Sequence, residues 1–249
     1  GGYVLAQALL STVSTVTAGN CHSFHSYFLR PGDPRDPILY EVDRVRNGKS
    51  FSTRRVTAVQ KGRTIFIMTA SFQIAEEGFV HQFKMPSVPS PEDLPTDIER
   101  MEKSLPRLTE EQRKTLCRER PIELRRVEAI DFANPKRKSP VQHIWLRSKE
   151  RLGNQYSEHQ GFLAYASDMG LLSTSSLPHG MSWLNGLQTA SLDHSMWFHD
   201  SFRMDKWILA VIESPTASNS RAFNRGLMFS AEGALIASVS QEGLMRVRK

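Results

Sequence analysis

Short blocks in which apolar and polar residues alternate recur along this chain, and twice a set of such blocks follows a segment patterned as a helix. The first helical segment covers about residues 2–16. Residues 38–45 then read as a strand that runs to Asn47-Gly48, a pair that tolerates positive φ and favours a tight hairpin. Residues 50–60 and 64–73 are rich in Thr, Val, Ile and Phe and flank a Gly-containing turn, which predicts a second hairpin. The series then returns: a helix at about 158–172, followed by strands at 207–213, 219–230 and 234–247. Between the two sets, Pro86, Pro89, Pro91 and Pro95 mark a linker. Thr109 with Gln112 three residues on is a capping-box pattern and predicts a short helix at 109–117. Strands resume at 121–127 and 141–149.

The return is an internal repeat. Ser23-Phe-His-Ser-Tyr-Phe28 resembles the block that starts at Ser191. Arg54-Arg55-Val56 resembles Arg221-Ala222-Phe223, and Ala70-Ser-Phe-Gln73 resembles the run that ends at Gln241. His25 and His194 are 169 residues apart, Gly62 and Gly233 171, and Gln73 and Gln241 168. Near-constant spacing argues for two copies of one unit. A long helix followed by a meander able to wrap it is the hot-dog arrangement, so the expected fold is an α+β double hot dog. Its units are 1–85 and 119–249, joined by the linker 86–118. The second copy has a strand-bearing lead-in of about 40 residues (121–160) before its helix. The first copy has none, so a strand is expected upstream of Gly1.

Composition narrows the class without naming a function. The chain has 249 residues, 39% of them hydrophobic and 23% charged, enough to bury a sizeable core. No run approaches the length of a membrane-spanning helix, and Gly1-Gly2-Tyr3 opens no secretory signal. The net charge of +6 is spread along the chain, with only Lys136-Arg137-Lys138 compact, and no nucleic-acid-binding signature accompanies it. A mild basic excess suits a polyanionic small molecule equally well. Cys21 and Cys117 sit in no metal or redox spacing and read as reduced thiols.

Three places invite chemistry. Asp168 lies in a segment apolar on nearly every side, which predicts a buried helix. A carboxylate there is costly unless it is paired or useful, and a satisfied structural Asp would look the same. Ser191-Leu-Asp193-His194-Ser195 brings together the residue types of a nucleophilic triad. On a regular strand, however, His194 would face away from Ser191, Asp193 and Ser195, and no Gly-x-Ser-x-Gly elbow is present. His22, His25 and His194 therefore read as structural hydrogen-bonders, with no metal-binding pattern. Gln241 ends its strand and by itself says little.

Several blocks together resemble the acyl-CoA thioesterase II, or TesB-like, family. They are Cys21-His-Ser-Phe-His-Ser-Tyr-Phe-Leu-Arg-Pro-Gly-Asp33, Ser50-Phe-Ser-Thr-Arg-Arg55, Tyr165-Ala-Ser-Asp168, Ser191-Leu-Asp-His-Ser-Met-Trp-Phe-His199 and Gln241-Glu-Gly243. The resemblance implies a double hot-dog fold and hydrolysis of medium- to long-chain fatty acyl-CoA to free acid and CoA. It also implies that Asp168, Ser191 and Gln241 orient the attacking water, with no metal or cofactor. Relatives often read Gly-Gly-Gln where this chain has Gly1-Gly2-Tyr3. Arg55 and Arg221 are candidates for the CoA phosphates. The first copy offers Ala6-Gln7-Ala8 opposite Asp168, an amide and no base, so catalysis is assigned to the second copy. Rival readings are a hot-dog acyl-CoA hydratase or dehydratase using Asp193 with His194 or His199, and a non-catalytic acyl-CoA-binding protein. The remaining expectations are a homo-oligomer, no nucleic-acid partner, no membrane insertion and a cytoplasmic location. A peroxisomal one is the alternative, since the chain ends in Arg246-Val-Arg-Lys249 rather than a Ser-Lys-Leu type signal.

Overall fold

The computed structural model describes residues 1–102 and 105–248; residues 103 and 104 of the expected linker, and Lys249, lie outside the described residues. The first half contains helix α1 (Gly2–Val13) and strands β1 (Asn20–Phe28), β2 (Leu39–Asn47), β3 (Phe51–Gln60) and β4 (Arg63–Gln73). The two hairpins fall where the turn residues place them. Gly48 N–H donates to Phe51 O at the first, and Lys61 and Gly62 both take positive φ at the second. Short helices α2 (Asp97–Glu102) and α3 (Glu110–Leu116) follow, and the Thr109–Gln112 capping box forms at the start of α3.

The second half runs β5 (Ile122–Arg126), β6 (Val141–Ser148), α4 (Tyr156–Ser167), α5 (Leu171–Ser176), β7 (Leu187–Ser191), β8 (Asp193–Phe198), β9 (Ile208–Ser218), β10 (Arg221–Ser230) and β11 (Leu235–Val247). The helix expected over 158–172 is two helices. The break spans Asp168-Met169-Gly170, and Gly170 sits at φ +98°, which ends regular α-geometry.

All the strands join one antiparallel sheet in the order β2-β3-β4-β1-β8-β11-β10-β9-β6-β5, with β7 paired to the far end of β11. The halves meet where β1 pairs β8, with His25 opposite Ser195 and Ser26 opposite His194. Opposite residues share a face, and alternate residues switch faces. Phe24, Ser26, His194 and Met196 therefore point inward and are buried, while His25 points outward. The correspondence of His25 with His194 fails for this reason: an odd offset puts the two rings on opposite faces.

Helices α1 and α4 lie on the inward face and run antiparallel. Gly2 abuts Tyr165, and Gly161 abuts Leu10. Leu5, Ala8, Leu9, Leu163 and Ala164 pack there against Phe24, Phe72 and Met196 in one continuous core. The buried Arg54 ties the end of α1 to the sheet by donating to Thr15 Oγ1, Thr15 O and Asn47 Oδ1. On the outer face of the second half, Trp145, Trp207, Leu209 and Phe229 are covered by Met85 and by linker residues Val88 and Leu94. The outer edge of β9 is paired by β6, but the corresponding edge of β2 has no partner strand among the described residues. No helix is long and apolar enough to cross a membrane among the described residues.

Candidate active site

Because α1 and α4 are antiparallel, the N-terminus of α1 meets the C-terminus of α4, and Asp168 is the residue at that junction. It is the C-cap of α4 rather than a mid-helix residue. A carboxylate at a helix C-terminus faces the negative end of the dipole. Here the positive end of α1 answers it: Gly2 N–H donates to Asp168 Oδ2 at 2.9 Å. Only glycine permits this approach. A Cβ on Gly1 would fall 2.5 Å from Asp168 Oδ2, and one on Gly2 would fall 2.2 Å from Tyr165 O.

The other Asp168 oxygen faces the sheet. Gln241 Nε2 donates to Oδ1 at 2.8 Å, and Ser191 Oγ donates to the same oxygen at 3.4 Å. Gln241 Nε2 also reaches Ser191 Oγ at 3.1 Å. The three residues read from the sequence thus converge on one another. Ser191 is the last residue of β7, opposite Gly243 on β11, and Gln241 is two residues along β11. Gly243 leaves room for Leu172 of α5 to settle on β11, since a Cβ there would fall 2.1 Å from Leu172 Cδ2. Gln241 is fully buried, whereas the Asp168 side chain is 20% exposed, so solvent reaches the carboxylate. Burial raises the Asp168 pKa. The Gln241 amide on one oxygen and the Gly2 N–H on the other lower it and favour the ionised carboxylate.

His194 belongs to the same cluster, contrary to the expectation from strand alternation. β7 and β8 are interrupted at Leu192, and the kink resets which face each side chain takes. His194 is fully buried, with Nδ1 3.2 Å from Gln241 Nε2 and Nε2 2.9 Å from Ser167 Oγ. The Ser167 hydroxyl donates to Ala164 O, so its oxygen accepts from His194 Nε2–H. Nδ1 then holds the lone pair that faces the Gln241 amide. Burial pushes the imidazole pKa down to about 4, so His194 is neutral at pH 7.

Asp193 is outside the cluster; its carboxylate accepts from Glu242 N–H at 2.6 Å. His199 bonds Ser238, His22 bonds Ser71 and His25 bonds Ser195, each at a separate place. Arg55 and Arg221 are exposed and ion-paired with Asp43 and Glu242. Arg55 lies on β3, separated from β11 by β4, β1 and β8. No group of three or more His, Cys, Asp or Glu side chains is placed to hold a metal among the described residues.

The counterpart of Asp168 in the first half also differs from the expected Ala6-Gln7-Ala8. Gln7 is mid-helix and accepts from Tyr40 Oη at 2.7 Å. The residue that caps the C-terminus of α1 is Ser14. The conclusion that no carboxylate stands there is unchanged.

Two helix-and-meander units fused through one sheet, with an acid, a hydroxyl and an amide gathered at a helix junction, define a double hot-dog hydrolase. Comparison with known proteins gives the family. The acyl-CoA thioesterase model matches residues 113–244, and the acyl-CoA thioesterase N-terminal domain model matches residues 1–73. Acyl-coenzyme A thioesterase 8 of Mus musculus is 40% identical, covering 100% of this chain and 80% of the relative. Acyl-CoA thioesterase 2 of Haemophilus influenzae is 38% identical, covering 99% and 87%. Among solved structures, the acyl-CoA thioesterase II TesB2 of Mycobacterium marinum superposes with a TM-score of 0.82 at 40% identity, covering 100% of this chain and 90% of that one. A hot-dog protein of Alicyclobacillus acidocaldarius, 18% identical, shares the fold with a TM-score of 0.79, covering 100% of this chain and 88% of that one. The chain belongs to the acyl-CoA thioesterase family and is a thioester hydrolase.

Proposed function

We propose that this chain hydrolyses medium- to long-chain fatty acyl-CoA at the Asp168–Ser191–Gln241 cluster, by direct attack of a water molecule. The supporting observation is the convergence itself: a solvent-reached carboxylate with a hydroxyl and an amide within 3.4 Å. Asp168 accepts a proton from the water as the C–O bond forms, and Ser191 and Gln241 fix its direction. The thioester carbonyl becomes an oxyanion, which needs donors. Of the first-turn N–H groups of α1, that of Gly2 serves Asp168 and that of Val4 serves Gly1 O, which leaves the Tyr3 N–H as the donor offered at the junction. Collapse of the tetrahedral species breaks the C–S bond and releases CoA as its thiol, with the proton first taken by Asp168 returned to sulfur. Neutral His194 keeps the Gln241 amide in place and takes no proton.

Half-buried Tyr165 and Met169 beside Asp168 offer apolar surface to an alkyl chain. In this reading Arg55 and Arg221 exchange their surface carboxylate partners for CoA phosphates. The chain divides at 1–85, 86–118 and 119–249. The unpaired Cys21 and Cys117 agree with a cytoplasmic location, and the open edge of β2, with exposed Leu39 and Val45, suits self-association. The test is thiol release from saturated acyl-CoAs of graded length, with hydration of an enoyl-CoA measured beside it. Release that peaks on medium or long chains, with no hydration, is the expected result. Hydration faster than thiol release would favour the dehydratase reading instead.

A further inference from the structure

Gln241 has an unusual number of claims on it. Its Nε2 carries two hydrogens, yet three acceptors stand around it: Asp168 Oδ1, Ser191 Oγ and His194 Nδ1. Its Oε1 is buried without a protein partner among the described residues. What Oε1 bonds to therefore decides how the amide plane is turned, and so which two of the three acceptors are served.

Directly across the β10–β11 ladder from Gln241 stands Asn224. Opposite residues in an antiparallel pair put their side chains on the same face, with Cβ atoms about 5 Å apart. Asn224 is fully buried, and neither Oδ1 nor Nδ2 has a protein partner among the described residues. Buried polar atoms are nearly always hydrogen-bonded, so a second unsatisfied amide beside Gln241 calls for an explanation. The backbone is also irregular here. The β9–β10 register steps between Phe223 and Arg225, at Asn224 itself, and Ser214-Pro215 lie across the step. Ser214 Oγ donates to Phe223 O at 2.9 Å. Irregular pairing of this kind re-aims a side chain and often borders an active site. The first half has nothing comparable: the residue opposite Gln73 is Phe51.

We infer that Asn224 is a positioning residue for hydrolysis. Its amide donates to Gln241 Oε1 through one shared water and turns Gln241 Nε2 toward Asp168 and Ser191. Asn224 touches neither substrate nor the attacking water. This rests on the assignment of Gln241 to the site, and the experiment separates the two.

Asn224→Val and Asn224→Ala are made in the full chain, alone and combined with Gln241→Ala. Thiol release is followed as kcat and KM, and folding by thermal melting. Both single variants are expected to lose about tenfold in kcat with KM within about twofold of wild type. Their Tm should be slightly below wild type, because Gln241 Oε1 is left without its donor. On the Gln241→Ala background either substitution should change kcat by less than about twofold, since the group it acts through is gone. Wild-type kcat in both single variants overturns the inference, and so does an equal loss on both backgrounds, which would mark a purely structural effect. If Gln241→Ala itself keeps wild-type kcat, the site assignment falls and this inference with it. If Gln241→Ala is impaired and the Asn224 variants are not, only the role of Asn224 falls.

Discussion

Replacing Asp168 by Asn tests the mechanism most directly, because the swap preserves shape and removes the base. The structure sets the size of two separate effects. An amide cannot take a proton near neutral pH, and loss of a general base costs about 10²- to 10⁴-fold. A hundredfold loss corresponds to about 2.7 kcal/mol of transition-state stabilisation. The second effect is on folding. Asp168 accepts from Gly2 N–H on one oxygen and from Gln241 Nε2 on the other. Asn offers one oxygen and one NH₂, so one of those donors must face another donor. Such a mispairing costs about 1–3 kcal/mol, which in a chain of this size lowers Tm by about 2–10 °C. The assay is thiol release at saturating acyl-CoA, normalised to folded protein, with melting followed by circular dichroism. We expect kcat down at least about 10²-fold, KM little changed, and a modestly lower Tm. A variant that melts lower yet keeps more than about a tenth of wild-type kcat would show that Asp168 is a structural acceptor only, and the water-activation argument would have to be abandoned.

The Gln pair tests the inequality of the two halves: Gln241→Ala should lose about 2 kcal/mol of transition-state stabilisation, roughly 30-fold in kcat. Gln73→Ala should leave kcat unchanged, since Gln73 makes only a 3.4 Å contact to Glu76 at the surface, and equal losses in both variants would mean two working sites. His194 predicts a pH effect on stability: its pKa is about 4 folded and about 6.5 unfolded, so the unfolded chain binds the proton more readily. Stability should be constant above pH 6.5 with respect to this group and fall by about 3 kcal/mol as pH drops through 4; a His194→Gln variant with the same acid slope in denaturant titrations would refute the attribution. Gly2→Ala should drive a Cβ into Tyr165 O and shift the start of α1 away from Asp168, lowering kcat by about 10²-fold if the displacement approaches 1 Å, whereas an unchanged kcat would remove α1 from the site.

Much of this was legible in the chain because it is local. Asn47-Gly48 and Lys61-Gly62 write their hairpins in two residues each, and Thr109 with Gln112 writes the cap of α3. Asp168, Ser191 and Gln241 came from motif resemblance, and folding brings them within hydrogen-bonding reach. The misreadings share a cause of the opposite kind. The apolar run through Met169 and Leu172 hides the break at Gly170, so Asp168 looked mid-helix when it is a cap. Strand alternation at Ser191–Ser195 is correct on each side of Leu192 but not across it, so His194 was turned to the wrong face. Gly1 and Gly2 carried no local signal at all. Their requirement for a missing side chain is set by Asp168 and Tyr165, more than 160 residues away.

The geometry also explains how a duplicated fold yields an unequal pair of helix junctions. Antiparallel α1 and α4 create two junctions, one at each end of the pair. At one, the N-terminus of α1 meets Asp168, and two groups on the sheet, Ser191 and Gln241, face the same carboxylate. At the other, the C-terminus of α1 is capped by Ser14, and Thr15 is held by Arg54. The groove there is lined by Val13, Cys21, Phe72, Ser157 and Gln160, without a carboxylate. Gln160 spends its amide on Cys21 O, and Cys21 has its thiol pKa pushed up to about 12 by burial, so neither residue is a base or a nucleophile at neutral pH. The second half owns the Asp, Ser and Gln, but the first half supplies the helix N-terminus whose Gly2 N–H donates to that carboxylate. Neither half holds the whole set, and this gives a physical reason for the two units to remain fused through β1 and β8.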